Sequence, residues 1–305
     1  MLVVAGESLV DLLVDEAGDV TARPGGAPFN VARGLARLGA RCAFLGAVST
    51  DPFGALLRRT LEADGVDLAC VVAKDLSTLL AVAHLEDGVA TYRFHVAGTA
   101  APALTEADVA AVLPPRMEVL HVGGLGLALE PMAGALAGLV ASASPQTLVS
   151  VDPNCRPDAI ADHAAYRARL GAVLAGADVV KVSTEDLDYL APGVPAARAA
   201  RELLAGRVRC VLVTDGGRPL RIVAPQAEHE VPVVPAAVVD TVGAGDALCA
   251  GFLAWWAREG LGAADLASPT RVEDAAAFAV RVAAATCERS GAEPPTLAEL
   301  DALAG

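Results

Sequence analysis

The segment Asp240-Thr241-Val242-Gly243-Ala244-Gly245-Asp246 has the residue types of a phosphate-handling loop, and an apolar run over 247–253 follows it at once. Small residues let the backbone approach a ligand closely. Leu248, Phe252 and Trp255 recur at helical spacing, so the loop feeds a helix N-terminus, where open N–H groups and the helix dipole favour an anion. Asp246 stands where that helix begins. A carboxylate repels phosphate, so its presence suits a base that takes the proton from a nucleophile attacking the phosphate. The chemistry expected is phosphoryl transfer to a hydroxyl. An aspartate that merely caps a helix after a glycine turn is the plainer alternative. Two aspartates bracketing Thr-x-Gly-Ala-Gly make a narrower pattern than that.

A second glycine pair, Gly25-Gly26-Ala27-Pro28-Phe29-Asn30, leads into a helix over 31–38 that ends at Gly39. Asn30 sits one turn in and offers both a donor and an acceptor to a polyol. The run from Gly46 to Gly54 closes a strand with a turn before another helix and reads as structural.

These residues need a scaffold. Short β-branched or apolar runs at 2–5, 42–48, 118–122, 147–151, 178–182 and 208–213 predict buried strands. Stretches with helical spacing lie between them at 27–38, 131–143, 163–175 and 196–205, and two more helices follow at 246–259 and 273–288. Such alternation implies an α/β fold: a mainly parallel central sheet with helices on both faces. Segments 8–24 and 77–98 break the rhythm with partial alternation around turns at Glu16-Ala17-Gly18 and Glu86-Asp87-Gly88. They read as antiparallel hairpins that together make a small β lid.

Bulk properties narrow the partners. At 305 residues with 54% hydrophobic content, the chain can bury a sizeable core. A formal charge of −14 disfavours nucleic acid or an anionic membrane surface as partner, although an ATP site needs only local donors. The six cysteines are scattered without a C-x-x-C, which suits buried thiols in a reducing cytoplasm. Residues 1–10 lack the basic start of a secretory leader, and Glu130-Pro131 divides the apolar stretch at 119–151 before either part could span a membrane.

The motifs together resemble the ribokinase-like (PfkB) carbohydrate kinase family, and within it the bacterial fructokinases. Gly25-Gly26…Asn30…Gly39 matches the N-terminal signature and 240–246 the C-terminal one. Gly6-Glu7…Asp11, Asp152-Pro153-Asn154…Arg156 and Val213-Thr214-Asp215-Gly216 add to it, so the likeness runs from about residue 6 to residue 291. It implies one ribokinase-like three-layer α/β/α domain over 1–305 with the lid inserted. It also implies ATP-dependent phosphorylation of a ketohexose, D-fructose first among them, at a primary hydroxyl. Asp246 would be the general base, with Gly243, Ala244 and Gly245 presenting amides to the transferring phosphoryl group. Asp11, Gly25, Gly26 and Asn30 would grip the sugar, with Arg93 and Arg156 as candidate contacts to substrate oxyanions. Thr214 and Gly216 would lie beside the nucleotide. Ser183 and Asp186 stand where the family often has Asn-x-x-Glu for placing Mg²⁺ and phosphates. Asp240, with carbonyls at Val242, Thr286, Arg289 and Gly291, resembles a monovalent cation site suited to K⁺. Lid pairing in the family implies a homodimer.

Other classes fit less well. A P-loop kinase fails because the chain has only two lysines, Lys74 and Lys181, and neither follows G-x-x-x-x-G. A dinucleotide-binding dehydrogenase lacks its glycine fingerprint after the first strand, and the five histidines show no metal-binding spacing. Within the family, 2-keto-3-deoxygluconate kinase and ribokinase are the alternatives, and a non-catalytic sugar sensor is the alternative outside catalysis.

Overall fold

The strands in chain order are β1 (Leu2–Ala5), β2 (Leu9–Val14), β3 (Val20–Gly25), β4 (Cys42–Ser49), β5 (Val71–Lys74), β6 (Leu80–Glu86) and β7 (Val89–His95). They continue with β8 (Val119–Gly123), β9 (Leu148–Asp152), β10 (Val179–Ser183), β11 (Cys210–Thr214), β12 (Leu220–Val223) and β13 (Glu228–Val231). The structure is a computed structural model that describes residues 1–15, 17–86 and 89–303. Glu16, Asp87 and Gly88 of the two expected turns lie outside the described residues.

Nine strands form one sheet in the order β13-β12-β11-β10-β9-β8-β1-β4-β5. From β11 to β5 all neighbours are parallel, and β12 and β13 extend the edge antiparallel. Burial on both faces explains the nearly unbroken apolar runs of the central strands. In β1, Val3 and Ala5 enter one core while Leu2 and Val4 enter the other. Helices Ala27–Arg37, Pro52–Asp64, Ala244–Arg258 and Pro269–Cys287 cover the second face; Met132–Ala141, His163–Ala175 and Ala196–Glu202 cover the first. The three layers are those expected. Strands β5, β12 and β13 are additional; each has only four residues, all three lie toward the edges of the sheet, and Glu228-His229-Glu230-Val231 carries no apolar run.

The helix Ala244–Arg258 buries Phe252 and Trp256, with Trp255 only partly covered. The inward face is thus Leu248, Phe252 and Trp256, one residue beyond the expected Trp255. Each such side chain stabilises the packing by about 1.5–3 kcal/mol.

The second sheet has the order β3-β2-β6-β7. β2 and β3 form one antiparallel hairpin and β6 and β7 another. The two hairpins join through a parallel pair, β2 with β6, which hairpin signals alone do not reveal. Among the described residues no helix is long and apolar enough to cross a membrane. All six cysteines are free, five of them buried.

Candidate active site

The carboxyl ends of β1, β8, β9, β10 and β11 open into a cleft of about 670 Å³, with Leu9, Asp11 and Phe94 of the small sheet on its wall. Strand order reverses at β8 and β1, the place where open α/β sheets leave a crevice for ligands.

The glycine-rich loop enters this cleft as a helix start. Gly243 has φ 77°, and a Cβ there would stand 2.5 Å from Cβ of Ala292, so both the backbone angle and the neighbour require glycine. Ala292 is in turn fixed by Arg33, which donates to its carbonyl at 3.0 Å and pairs with Asp64 at 2.6 Å and Glu293 at 2.9 Å. The Ala244 amide turns back to the Thr241 carbonyl at 3.2 Å. The amides of Gly243, Gly245 and Asp246 have no acceptor among the described residues, and Gly243, Gly245 and Asp246 line the cleft. The open donors therefore include Asp246 itself, while that of Ala244 is engaged.

Asp246 is the third residue of its helix and makes no cap; the N-cap position is Gly243, without a side-chain bond. Its carboxylate instead accepts from Asn30 Nδ2 at 2.8 Å, across 216 residues of sequence. The helices bearing these two residues pack closely because Gly34 faces Ala250, where a Cβ would come within 2.6 Å. Asp246 is only 7% exposed, and burial pushes its carboxyl up to about 7 against the opposing Asn30 hydrogen bond. Such a group is poised to accept a proton near neutrality.

On the small sheet, Asp11 faces the cleft from β2, with burial raising its carboxyl to about 6. Gly25 lies beneath the Asp11 carboxylate, and Gly26, with φ 112°, precedes the helix so closely that a Cβ would stand 2.8 Å from the Glu7 carbonyl. Asn30 Oδ1 is buried with no partner among the described residues, an acceptor left for a ligand hydroxyl. Arg156 lines the cleft while donating to the carbonyls of Asn154 (3.3 Å) and Cys155 (3.0 Å). Arg93 is exposed and off the cleft wall, so of the two expected arginines only Arg156 is brought in.

At the carboxyl end of β11, of the two residues expected beside a nucleotide, Thr214 lines the cleft and Gly216 lies outside its lining. Ser183 and Asp186 form a capping box for the helix Thr184–Leu190. Asp186 accepts from Cys155 N at 2.7 Å, Ser183 N at 2.8 Å and Ser183 Oγ at 2.9 Å. Both oxygens are thus engaged in holding two loops. Asp240 likewise spans Val242 N (3.0 Å) and Gly291 N (2.8 Å), tying the anion loop directly to the segment after the helix Pro269–Cys287. The Thr286 carbonyl accepts from Arg289 N at 3.0 Å, close behind the same bend. Both Asp240 oxygens and the Thr286 carbonyl thus accept backbone N–H groups, and carboxylate and carbonyl oxygens are the ligand type that hard cations take. Among the described residues no three His, Cys, Asp or Glu side chains converge as a metal cage. Magnesium is commonly held by one or two carboxylates together with substrate phosphates, so the nucleotide would supply much of its shell.

Two cleft residues had no role assigned from the sequence, although Glu7 stood in the Gly6-Glu7…Asp11 match. Glu7, buried and with its carboxyl pushed up by burial, accepts from Ala27 N (3.1 Å) and Gly126 N (2.8 Å), clamping the start of the helix Ala27–Arg37 to the turn after β8. Lys181 pairs with buried Asp152 at 3.0 Å and lines the cleft. Its signal was a single charge inside the apolar strand run Val179-Val180-Lys181-Val182.

The pfkB family carbohydrate kinase profile matches residues 1–299. A fructokinase of Salmonella typhimurium is 37% identical over 262 residues, covering 85% of this chain and 85% of its own. The fructokinase of Xylella fastidiosa with bound ATP superposes with a TM-score of 0.92 at 30% identity, covering 99% of this chain and 97% of that one. The fructokinase of Vibrio cholerae O395, with fructose, ADP and calcium bound, superposes with a TM-score of 0.85 at 27% identity, covering 99% and 97%. The buried Asp246 carboxylate beside open amides, the layered fold and these matches agree: the chain belongs to the pfkB family of carbohydrate kinases.

Proposed function

We propose that this chain is an ATP-dependent fructokinase that phosphorylates D-fructose at a primary hydroxyl. The observation that carries the reading is Asp246, raised to about 7 and bonded to Asn30, beside the open amides of the anion loop. The fructokinase relatives support the choice of sugar and of ATP. Asp11, Gly26 and Asn30 hold the sugar, and Thr214 lies beside the nucleotide. The hydroxyl oxygen forms the new bond to the γ-phosphorus while its proton passes to Asp246. The bond to the bridging oxygen of ADP breaks, and its electron pair leaves on ADP. The amides of Gly243, Gly245 and Asp246 receive the charge on the transferred group.

Mg²⁺ would come with the phosphates of ATP, and Asp240 with the neighbouring carbonyls would hold K⁺, whose charge would steady the loop. The lid leaves β3 and β7 as edges among the described residues, and a second copy pairs there to give a homodimer. Buried free thiols suit a cytoplasmic enzyme.

The test is coupled ADP release across fructose, ribose, 2-keto-3-deoxygluconate and adenosine. Fructose is expected to give the highest kcat/KM. Preference for another sugar would overturn the substrate, and sugar binding without any ADP release would favour a sensor.

A further inference from the structure

We propose that Lys181 is a further catalytic residue, its ammonium standing behind the open amides of the 243–246 loop and taking up negative charge on the transferred phosphoryl group. This rests on the kinase reading and deepens it.

Lys181 lies near the carboxyl end of β10 and lines the same cleft as Gly243, Gly245 and Asp246. A Cβ built on Gly245 would come 2.8 Å from Lys181 Nζ. The ammonium therefore sits against a residue whose amide is open, and the missing side chain leaves room for it. Nζ donates to Asp152 Oδ2 at 3.0 Å, while Asp152 Oδ1 accepts from Asn154 N at 3.1 Å. The Cys249 thiol, one turn along the same helix as Asp246, approaches Asp152 Oδ2 at 3.8 Å. Lys181 is thus held at a fixed depth beneath the helix start.

Its placement is costly for a purely structural part. Lys181 is 6% exposed and Asp152 is 2% exposed, and a buried ion pair is seldom more stabilising than apolar residues of equal volume. Burial opposes the ammonium, yet Asp152 outweighs it and holds Lys181 charged, above the usual lysine range. The carboxylates facing Asp246 are Glu7 and Asp152, with Asn30 as its hydrogen-bond donor. Lys181 is the cation facing it from the sheet. Without that charge, a polyphosphate would meet a floor of carboxylates. Lys181 gives and takes no atom in the transfer; it stabilises charge that grows as the bond to ADP breaks.

The experiment compares wild type, Lys181→Met, Lys181→Arg and the double variant Asp152→Asn/Lys181→Met with fructose and MgATP. In Lys181→Met, kcat should fall about 10²–10³-fold, the scale of one lost oxyanion donor. KM for fructose should stay within about threefold, because the interaction belongs to the transition state. The acidic limb of kcat/KM should move to higher pH, since Asp246 loses its facing cation, a change that a merely structural lysine would not cause. Lys181→Arg should restore the limb and part of kcat. The double variant leaves no unpaired buried charge; its kcat should stay low while the limb returns toward wild type. A folded Lys181→Met enzyme with kcat within about threefold of wild type and an unmoved limb would overturn the proposal. Should that variant not fold, near-normal kcat in the double variant would overturn it equally. Absence of ADP release from wild type with every sugar would overturn the kinase reading itself, a separate result.

Discussion

Asn30 Nδ2 donates to Asp246 Oδ2 across 2.8 Å, joining the start of one helix to the start of another from the far end of the chain. This contact fixes the orientation of the Asp246 carboxylate and leaves Asn30 Oδ1 without a partner among the described residues. Both signature motifs therefore meet in one pair of side chains. Removing the amide with Asn30→Ala should push the Asp246 carboxyl further up, because the hydrogen bond favours its charged form. The acidic limb of kcat/KM should shift to higher pH, and KM for fructose should rise about threefold to tenfold for one lost hydrogen bond. A pH-rate series on the variant checks both.

Asp246→Asn should lower kcat by about 10²–10⁴-fold while sugar binding persists, as expected for loss of a positioned base. In wild type, kcat/KM should rise with pH through about 7, where the buried carboxyl gives up its proton. Near-normal turnover of the asparagine variant would refute the assignment.

The same burial has a consequence for stability. The folded carboxyl titrates near 7 instead of 3.8, so the native state binds more protons than the unfolded chain between those values. Its stabilising contribution is complete below the unfolded value and is lost as pH rises through 7. Asp246→Asn should therefore be more stable than wild type at pH 8, by on the order of a few kcal/mol, and nearly equal at pH 4. Denaturant melts at the two pH values give the comparison.

Two glycine substitutions should separate site from scaffold. Gly243→Ala meets a positive φ and Ala292 at once, so it should cost about 1–3 kcal/mol of stability and also cut kcat by displacing the open amides. Gly54→Ala, at the start of the helix Pro52–Asp64 and off the cleft lining, would run into the Ser49 carbonyl. It should lower stability while leaving kcat per folded molecule unchanged. Thermal melts paired with active-site-normalised rates distinguish the two.

Asp240→Ala should release the Val242 and Gly291 amides together. We expect a kcat decrease of about tenfold or more from a loosened anion loop. Activation by added K⁺, measured in a choline buffer, should be lost in the variant.

The sequence by itself determined which local elements form and which residue types could serve phosphoryl transfer. Apolar strand runs, helical spacing and the two glycine motifs are short-range signals, set by burial on a repeating face and by backbone freedom at single positions. Asp246, Asn30 and Gly26 were singled out in this way and Asp11 through the family resemblance, while alternation marked both hairpins. The tertiary structure decided what those residues face. Asp186 was placed with the nucleotide, yet both its oxygens hold neighbouring backbone and a serine, because a short carboxylate three residues after Ser183 closes a capping box. Arg93 looked like a substrate contact but points to solvent from a lid strand, and alternation does not say which face a lid will turn inward. Lys181 passed as a lone lysine until β10 and the helix from Ala244 brought its ammonium to Gly245. Spacing along a chain fixes a residue's own element; only packing between elements fixes its electrostatic neighbours, and those neighbours set the charge of Asp246.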